Sequence, residues 1–322
     1  MSKKLNILHW PTSYPDKSRN QPYNGIFVQE HIKSTKGMVN NMILFVSAES
    51  TRNKYKLHER LNTIEEGIPV TRFYFNSTLH VTFLNIYIRM VLIVYFLELI
   101  LLKRFYPNVI HVHFFPAGEW ASLFKKIFNI KIIVTEHWTA LIGYPVISVK
   151  RFENAKRLYE KASYILPVST HLGNGILQNT KADISHKIQV IHNCVDTQVF
   201  KPATEPNFST YNIISVARLD EQKDIPTMLK AFQLVKEVLP AAKLTIIGGG
   251  DILPFVQLSK DLKIAAYIKF LGVQPKTIIA KEMAKSNLFI LSSISENSPC
   301  VIGEAQCCGL PVVATDVGGV KE

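Results

Sequence analysis

The sequence predicts an α/β protein of two tandem Rossmann-like domains facing a central cleft. Three observations predict it. Short apolar runs rich in Ile and Val alternate with helical segments along nearly the whole chain, the pattern of parallel sheets covered on both faces. The alternation breaks once, from Asp196 to Tyr211, where Pro202, Pro206 and polar residues without periodicity read as a linker. The 322 residues are too many for one small domain and suit two of roughly 150 residues each. The expected boundaries are 1–197 for the first domain, 198–211 for the linker and 212–322 for the second domain.

In the first domain the expected strands are Leu5–Trp10, Met42–Ala48, Val70–Phe75, Val109–His113, Lys131–His137, Ile165–Ser169 and Lys187–Asn193. Helical segments lie at Ile26–Lys36, Val81–Arg104, Glu119–Phe128, Val149–Lys161 and Thr170–Asn179. The rhythm restarts with strands at Asn212–Arg218, Lys243–Gly248, Tyr267–Gly272, Asn287–Ser293 and Pro311–Asp316. Between them come helices at Asp224–Val238, Asp251–Leu262, Thr277–Ser286 and Cys300–Cys308. Two doubly wound domains place ligands at the C-terminal ends of their strands.

Composition is that of a globular chain, 47% hydrophobic and 19% charged. Four cysteines without C-x-x-C spacing argue against a zinc site or a disulfide framework and for a reducing compartment. The N-terminus carries no apolar signal core, so a cytoplasmic location is expected. Residues 1–200 hold 24 Lys and Arg against 13 Asp and Glu, whereas residues 201–322 hold 13 against 12. The excess of positive charge therefore sits in the first half, where it favours an anionic partner such as a membrane surface or a phosphorylated acceptor. The apolar run Ile86–Leu102, broken by Arg89 and Glu98, is slightly short for a span and reads as a buried crossover helix, with a membrane-resting helix as second reading.

Several residues carry candidate chemistry. Glu296 and Glu304 flank the opening of a helix whose free N–H groups would bind an anion, so two carboxylates could hold sugar hydroxyls beside a diphosphate; read alone they are also two surface glutamates at chance spacing. Arg218 and Lys223 follow a strand and could neutralise a pyrophosphate; read alone they are equally two solvated charges. Gly248-Gly249-Gly250 would let backbone approach a ligand or merely make a tight turn. It is not the G-x-G-x-x-G of a dinucleotide site. Gly25 opens a helix, which is either an anion site or a helix capped by Asn24. His111, His113 and His137 end two strands; satisfied structural histidines are the preferred reading and no metal is expected, because no third ligand shows at a diagnostic spacing.

Taken in order, NGIFVQEH, HVHFFPAGEWASL, TEHW, LPVST, VIHNCVDTQVF, SVARLDEQKD, TIIGGG, FLGV and SENSPCVIGEAQCCGLPVVATDVGGVKE resemble the family 4 glycosyltransferases of the GT-B fold over nearly the whole chain. The resemblance implies a retaining enzyme that takes a sugar from a UDP- or GDP-linked donor without a divalent metal or other cofactor. Arg218 and Lys223 match the pair on the donor diphosphate, Glu304 the ribose glutamate, and Glu296 the glutamate facing the donor sugar. Cys300 and Val301 match the helix amides on the phosphate, Val273 falls near the base pocket, and Gly248 counts among the donor-binding residues. His137 matches the histidine near the donor sugar, Gly25 the glycine loop of the first domain, and Asn193-Cys194-Val195-Asp196 the family's N-G-V-D segment. Pro299 departs from the pattern and removes an N–H from the donor loop. The family also continues beyond the point where this sequence stops, so the C-terminal end reads as lacking.

The expected acceptor is a saccharide or a lipid-linked intermediate of cell-surface polysaccharide or lipopolysaccharide synthesis, with peripheral contact at the inner membrane face. No nucleic acid partner is expected. Two alternatives stay open: a nucleotide-sugar epimerase of similar fold, separated by detecting isomerisation instead of transfer, and a non-catalytic nucleotide-sugar-binding subunit, separated by donor binding without turnover.

Overall fold

The structure is a computed structural model that describes residues 4–48, 56–78, 80–143, 147–203 and 211–322. The chain divides into two compact units, residues 1–192 and 193–322. Val195, Val199 and Phe200 already pack into a core of the second unit, so that unit begins ahead of the segment expected to link the domains. Residues 204–210 of that segment lie outside the described residues.

In the first unit the strands are β1 (Asn6–Pro11), β2 (Asn40–Ser47), β3 (His58–Glu65), β4 (Ile68–Phe75), β5 (Val109–His113), β6 (Lys131–Glu136) and β7 (Tyr164–Pro167). They form one sheet in the order β3-β4-β2-β1-β5-β6-β7. Every pairing is parallel except β3 with β4. That antiparallel edge strand was not foreseen. Its HERLNTIE is mostly polar and half-exposed, and the hairpin is made by Glu66 and Gly67, both at positive φ (53° and 80°), the geometry of a tight two-residue turn. The strand expected at Lys187–Asn193 does not form. Gln189 and Ile191 donate to the carbonyls of Ile165 and Pro167, but Pro167 has no N–H to return, so the ladder stops.

The helices of this unit are α1 (Ile26–Ser34), α2 (Val81–Leu101), α3 (Gly118–Phe128), α4 (Val149–Lys161) and α5 (Thr170–Thr180). The crossover helix α2 is only half as expected. Leu84, Ile88, Leu92, Tyr95, Phe96 and Leu99 are buried in the core, whereas Phe83, Ile86, Met90, Val94, Leu97 and Leu101 are exposed. It is the one helix among the described residues long and apolar enough to cross a membrane. Its inner face nevertheless stabilises the sheet by roughly 10 kcal/mol, at about 1.5–3 kcal/mol for each buried side chain. Glu98 is tied to β3 by a bidentate pair with Arg60 at 2.6 and 2.7 Å. Extracting the helix into lipid would forfeit both.

The second unit holds a parallel sheet of β8 (Asn212–Val216), β9 (Lys243–Ile247), β10 (Ile268–Phe270), β11 (Leu288–Leu291) and β12 (Val312–Ala314), ordered β10-β9-β8-β11-β12. Helices α6 (Ile225–Val238), α7 (Leu253–Asp261), α8 (Lys276–Ala284) and α9 (Cys300–Cys307) connect the strands. Both units are thus doubly wound. In each, the strand order reverses beside the first strand, between β1 and β5 and between β8 and β11, and such switch points open a crevice at the strand C-termini.

Candidate functional site

In the second unit, β8 and β11 run side by side with Ile213 opposite Leu288 and Ile214 opposite Phe289, so the loops that follow them emerge together. A 3₁₀ turn over Glu221–Lys223 ends at Asp224, in the left-handed region at φ 40°. The Asp224 side chain then accepts from Thr227 N at 3.3 Å and caps α6. This turn is stitched to the loop after β11. Ile294 N donates to Gln222 O at 2.8 Å, Gln222 Nε2 to Ser295 O at 2.7 Å, and Ser292 Oγ to Lys223 O at 2.8 Å.

The stitching brings the Lys223 ammonium onto Glu296 Oε1 as a short ion pair. The same oxygen accepts from Ser293 Oγ at 2.6 Å. Glu296 is only 6% exposed, so its charge is held by one cation and one hydroxyl. Arg218 is placed differently. Its side chain is 74% exposed and its guanidinium lies 2.5 Å from Asp220 Oδ2, so the two expected diphosphate cations have separate carboxylate partners.

The glycine run packs β9 against β8 at their ends. A Cβ on Gly248 would sit 1.7 Å from Ala217 O, and one on Gly249 would sit 2.9 Å from Val273 Cγ2. Leu219 N donates to Gly249 O at 2.7 Å and Gly248 N to Gly272 O at 2.9 Å. Backbone from three strand ends therefore meets here, between Arg218 and the half-exposed Val273, which only residues without a side chain allow.

Helix α9 starts after Pro299 with no side-chain cap, which leaves the first-turn amides of Cys300 and Val301 to a ligand or solvent. Glu304 lies one turn in and is buried. Burial pushes the Cys300 thiol up to about 12, and the neighbouring Glu304 carboxylate pushes it the same way. The Asn193–Asp196 segment lies on this helix, with Asn193 Nδ2 donating to Ser298 O at 2.8 Å and Val195 against Gly303. The cation Lys223, two buried carboxylates and an uncapped helix start thus belong to the loops that close one switch point.

In the first unit Gly25 takes φ 66° as the N-cap of α1 and makes no side-chain cap. Asn24 does not cap the helix: its side chain is bonded to Ser13. His137 packs against Phe27 of α1 and Phe114, with ring centroids at 4.7 and 5.2 Å, so the Gly25 helix and His137 meet. Around them gather four more histidines. His9 stands beside His111 and His113 at 5.2 and 5.4 Å, His111 stacks on His113 at 4.2 Å, and His31 of α1 lies 5.9 Å from His113. Burial lowers His9 to about 4 and holds His111 and His113 well below the usual imidazole range, with the neighbouring histidines adding to it. The three nitrogens of His31, His113 and His137 fall within 4.8 Å of one another, as do those of His9, His111 and His113.

Ser293, Gln222, His9, His31 and Asn41 were missed in the sequence. His9 and His31 lie 104 and 82 residues from His113 in the chain, and no spacing rule reaches that far. Only the parallel register of β1 on β5, with His9 opposite His111 and Pro11 opposite His113, puts His9 in the group.

Two family models match the chain: Glycosyltransferase Family 4 over residues 51–199 and Glycosyl transferases group 1 over residues 196–322. Among curated proteins the chain is 31% identical over 231 residues to the N-acetyl-alpha-D-glucosaminyl L-malate synthase of Bacillus anthracis, covering 67% of this chain and 58% of that protein. It is 25% identical over 232 residues to the amylovoran biosynthesis glycosyltransferase AmsK of Erwinia amylovora, covering 68% and 56%. The matches thus span somewhat more than half the length of these two relatives. In fold it resembles the Anabaena Alr3699/HepE structure in complex with UDP and glucose, with a TM-score of 0.72, 17% identity, and coverage of 98% of this chain and 82% of that one.

Proposed function

The chain belongs to the family 4, group 1 glycosyltransferases of the GT-B fold, and from that premise we propose that it moves a hexosyl group from a UDP- or GDP-linked donor to a saccharide or lipid-linked acceptor, with retention of configuration. One observation carries this reading: the Lys223–Glu296 pair, the buried Glu304 and the uncapped start of α9 close the same switch point.

Departure of a nucleoside diphosphate builds negative charge on its oxygens. Lys223, Arg218 and the amides of Cys300 and Val301 supply positive potential for that charge, which stabilises the transition state more than the ground state. Glu304 takes the ribose hydroxyls and Glu296 the donor sugar, while Gly248 and Val273 admit the base. Lys223 exchanges its partner when the diphosphate arrives, and Glu296 is then released toward sugar hydroxyls. With these cations in place, donor binding needs no divalent metal.

The test is calorimetric titration with UDP- and GDP-sugars, with and without EDTA. Glu304→Ala and Lys223→Ala are expected to weaken donor binding by 10-fold or more, about 1.4 kcal/mol or above; unchanged binding in both variants removes this site. Isomerised donor in place of transferred sugar turns the assignment to an epimerase, and tight donor binding without turnover in the presence of acceptors turns it to a binding subunit.

For the acceptor we favour a lipid-linked saccharide of cell-surface polysaccharide or lipopolysaccharide synthesis, met at the inner face of the membrane. Its support is the apolar outer face of α2 and the excess of 24 cationic over 13 anionic residues in 1–200, a combination suited to anionic lipid. Co-sedimentation with phosphatidylglycerol vesicles at low salt, lost in Met90→Glu/Val94→Glu, is the expected result; a chain that stays in the supernatant refutes it.

A further inference from the structure

The histidine group at the β1/β5 switch point has a directed hydrogen-bond pattern. The Thr35 hydroxyl donates to Ile32 O at 2.8 Å, so its oxygen accepts from Asn41 Nδ2 at 3.0 Å. That orientation turns Asn41 Oδ1 toward His9 Nε2 at 2.9 Å, and an amide oxygen only accepts, so His9 carries its proton on Nε2. His9 Nδ1 is then a bare acceptor and takes the proton of His113 Nε2 at 3.2 Å. A neutral imidazole has one N–H, so His113 Nδ1 is left as a lone pair. It is buried without a hydrogen-bond partner, as is His31 Nδ1.

A fully buried lone pair without a donor is costly, of the order of 1–3 kcal/mol. A chain of four side chains that forces this tautomer instead of the reverse is the arrangement that orients a metal-ligating histidine from behind. The other cluster does not offer this. His111 Nε2 is engaged by Thr135 Oγ1 at 2.7 Å and both His9 nitrogens are used.

The geometry points to a divalent transition-metal site formed by His31, His113 and His137, whose ligand nitrogens lie within 4.8 Å of one another. Three neutral imidazoles without a carboxylate suit a borderline cation such as Zn²⁺ or Co²⁺, not Mg²⁺ or Ca²⁺. Bonds of about 2.0–2.1 Å at tetrahedral angles need nitrogens about 3.4 Å apart. His113 is fixed by the relay, while His31 on α1 and His137 just beyond β6 are half-buried and close the remaining distance by side-chain rotation. The site belongs to the first unit and stands independently of donor binding in the second.

The full chain, stripped by chelator and dialysed, is titrated with Zn²⁺ by calorimetry and with Co²⁺ by its visible d–d bands. One equivalent is expected to bind, with the intense absorption of a low-symmetry tetrahedral site. His31→Ala and His113→Ala should each weaken binding by more than 100-fold. Asn41→Leu, which touches no ion, should weaken it by 10–100-fold. If His113→Ala does not fold, as judged by circular dichroism, the half-buried His31 and the relay residue Asn41 decide. Absence of stoichiometric binding by the native chain overturns the site, as does binding that His31→Ala leaves unchanged, which would locate the ion elsewhere.

Discussion

Replacing Lys223 by Met strands a carboxylate. Glu296 has a side chain 8% exposed, and Lys223 one 19% exposed. After the substitution the neutral Ser293 hydroxyl at 2.6 Å is what remains against Glu296 Oε1 among the described residues. Breaking a buried pair from one side costs about 3–5 kcal/mol, because the surviving charge stays desolvated. Glu296→Gln is milder, at about 1–2 kcal/mol, since the Lys223 ammonium can turn toward water. The double variant leaves no charge behind and should recover most of the loss, giving a coupling of about 2 kcal/mol or more. Urea unfolding reads this out. Trp10, Trp120 and Trp138 are the only tryptophans and all belong to the first unit, so their fluorescence follows that unit while far-UV circular dichroism follows both. The shift belongs to the second unit and should appear in the dichroism. A Lys223→Met cost below about 1 kcal/mol, or single costs that simply add in the double variant, would refute a desolvated pair.

Three further outcomes are expected. Burial pushes Glu136 up to about 8 from the ordinary 4.5. Between those values the folded chain holds a proton that the unfolded chain releases, so this group's stabilisation is full below pH 4.5 and is lost as pH rises through about 8. The slope is at most about 1.4 kcal/mol per pH unit, and Glu136→Gln should flatten the fall in melting temperature between pH 5 and 8; an unaltered profile assigns the slope elsewhere. Gly25→Ala places a methyl group 2.3 Å from Ser13 O at φ 66°; the left-handed backbone alone costs about 1–2 kcal/mol, and tryptophan-detected melting of a unit of this size should fall by at least about 2 °C, whereas an unchanged midpoint shows that the loop yields freely. Gly248→Ala, with its methyl 1.7 Å from Ala217 O, should separate the ends of β8 and β9 and weaken donor binding at least 10-fold in the calorimetric titration; native affinity would show that the base does not use this loop.

Local order was legible in the residues themselves. Runs such as MILFV and LFIL are apolar on both faces, and only a covered parallel sheet buries both, so the doubly wound class and its helices follow from periodicity. The Glu296 loop, the Lys223 turn and the start of α9 were placeable for the same reason, since each adjoins a strand end. What the tertiary structure decided were pairings that no local pattern encodes. The polar strand β3 exists because a tight turn folds it onto β4, and Lys187–Asn193 fails to extend the sheet because its neighbour ends in proline. Arg218 turns to Asp220 while Lys223 crosses to Glu296, a choice made by loop contacts between two strands. The histidines of β1, α1, β5 and the end of β6 converge only because strand order sets β5 beside β1, and strand order depends on the packing of the whole sheet, which residue spacing does not report.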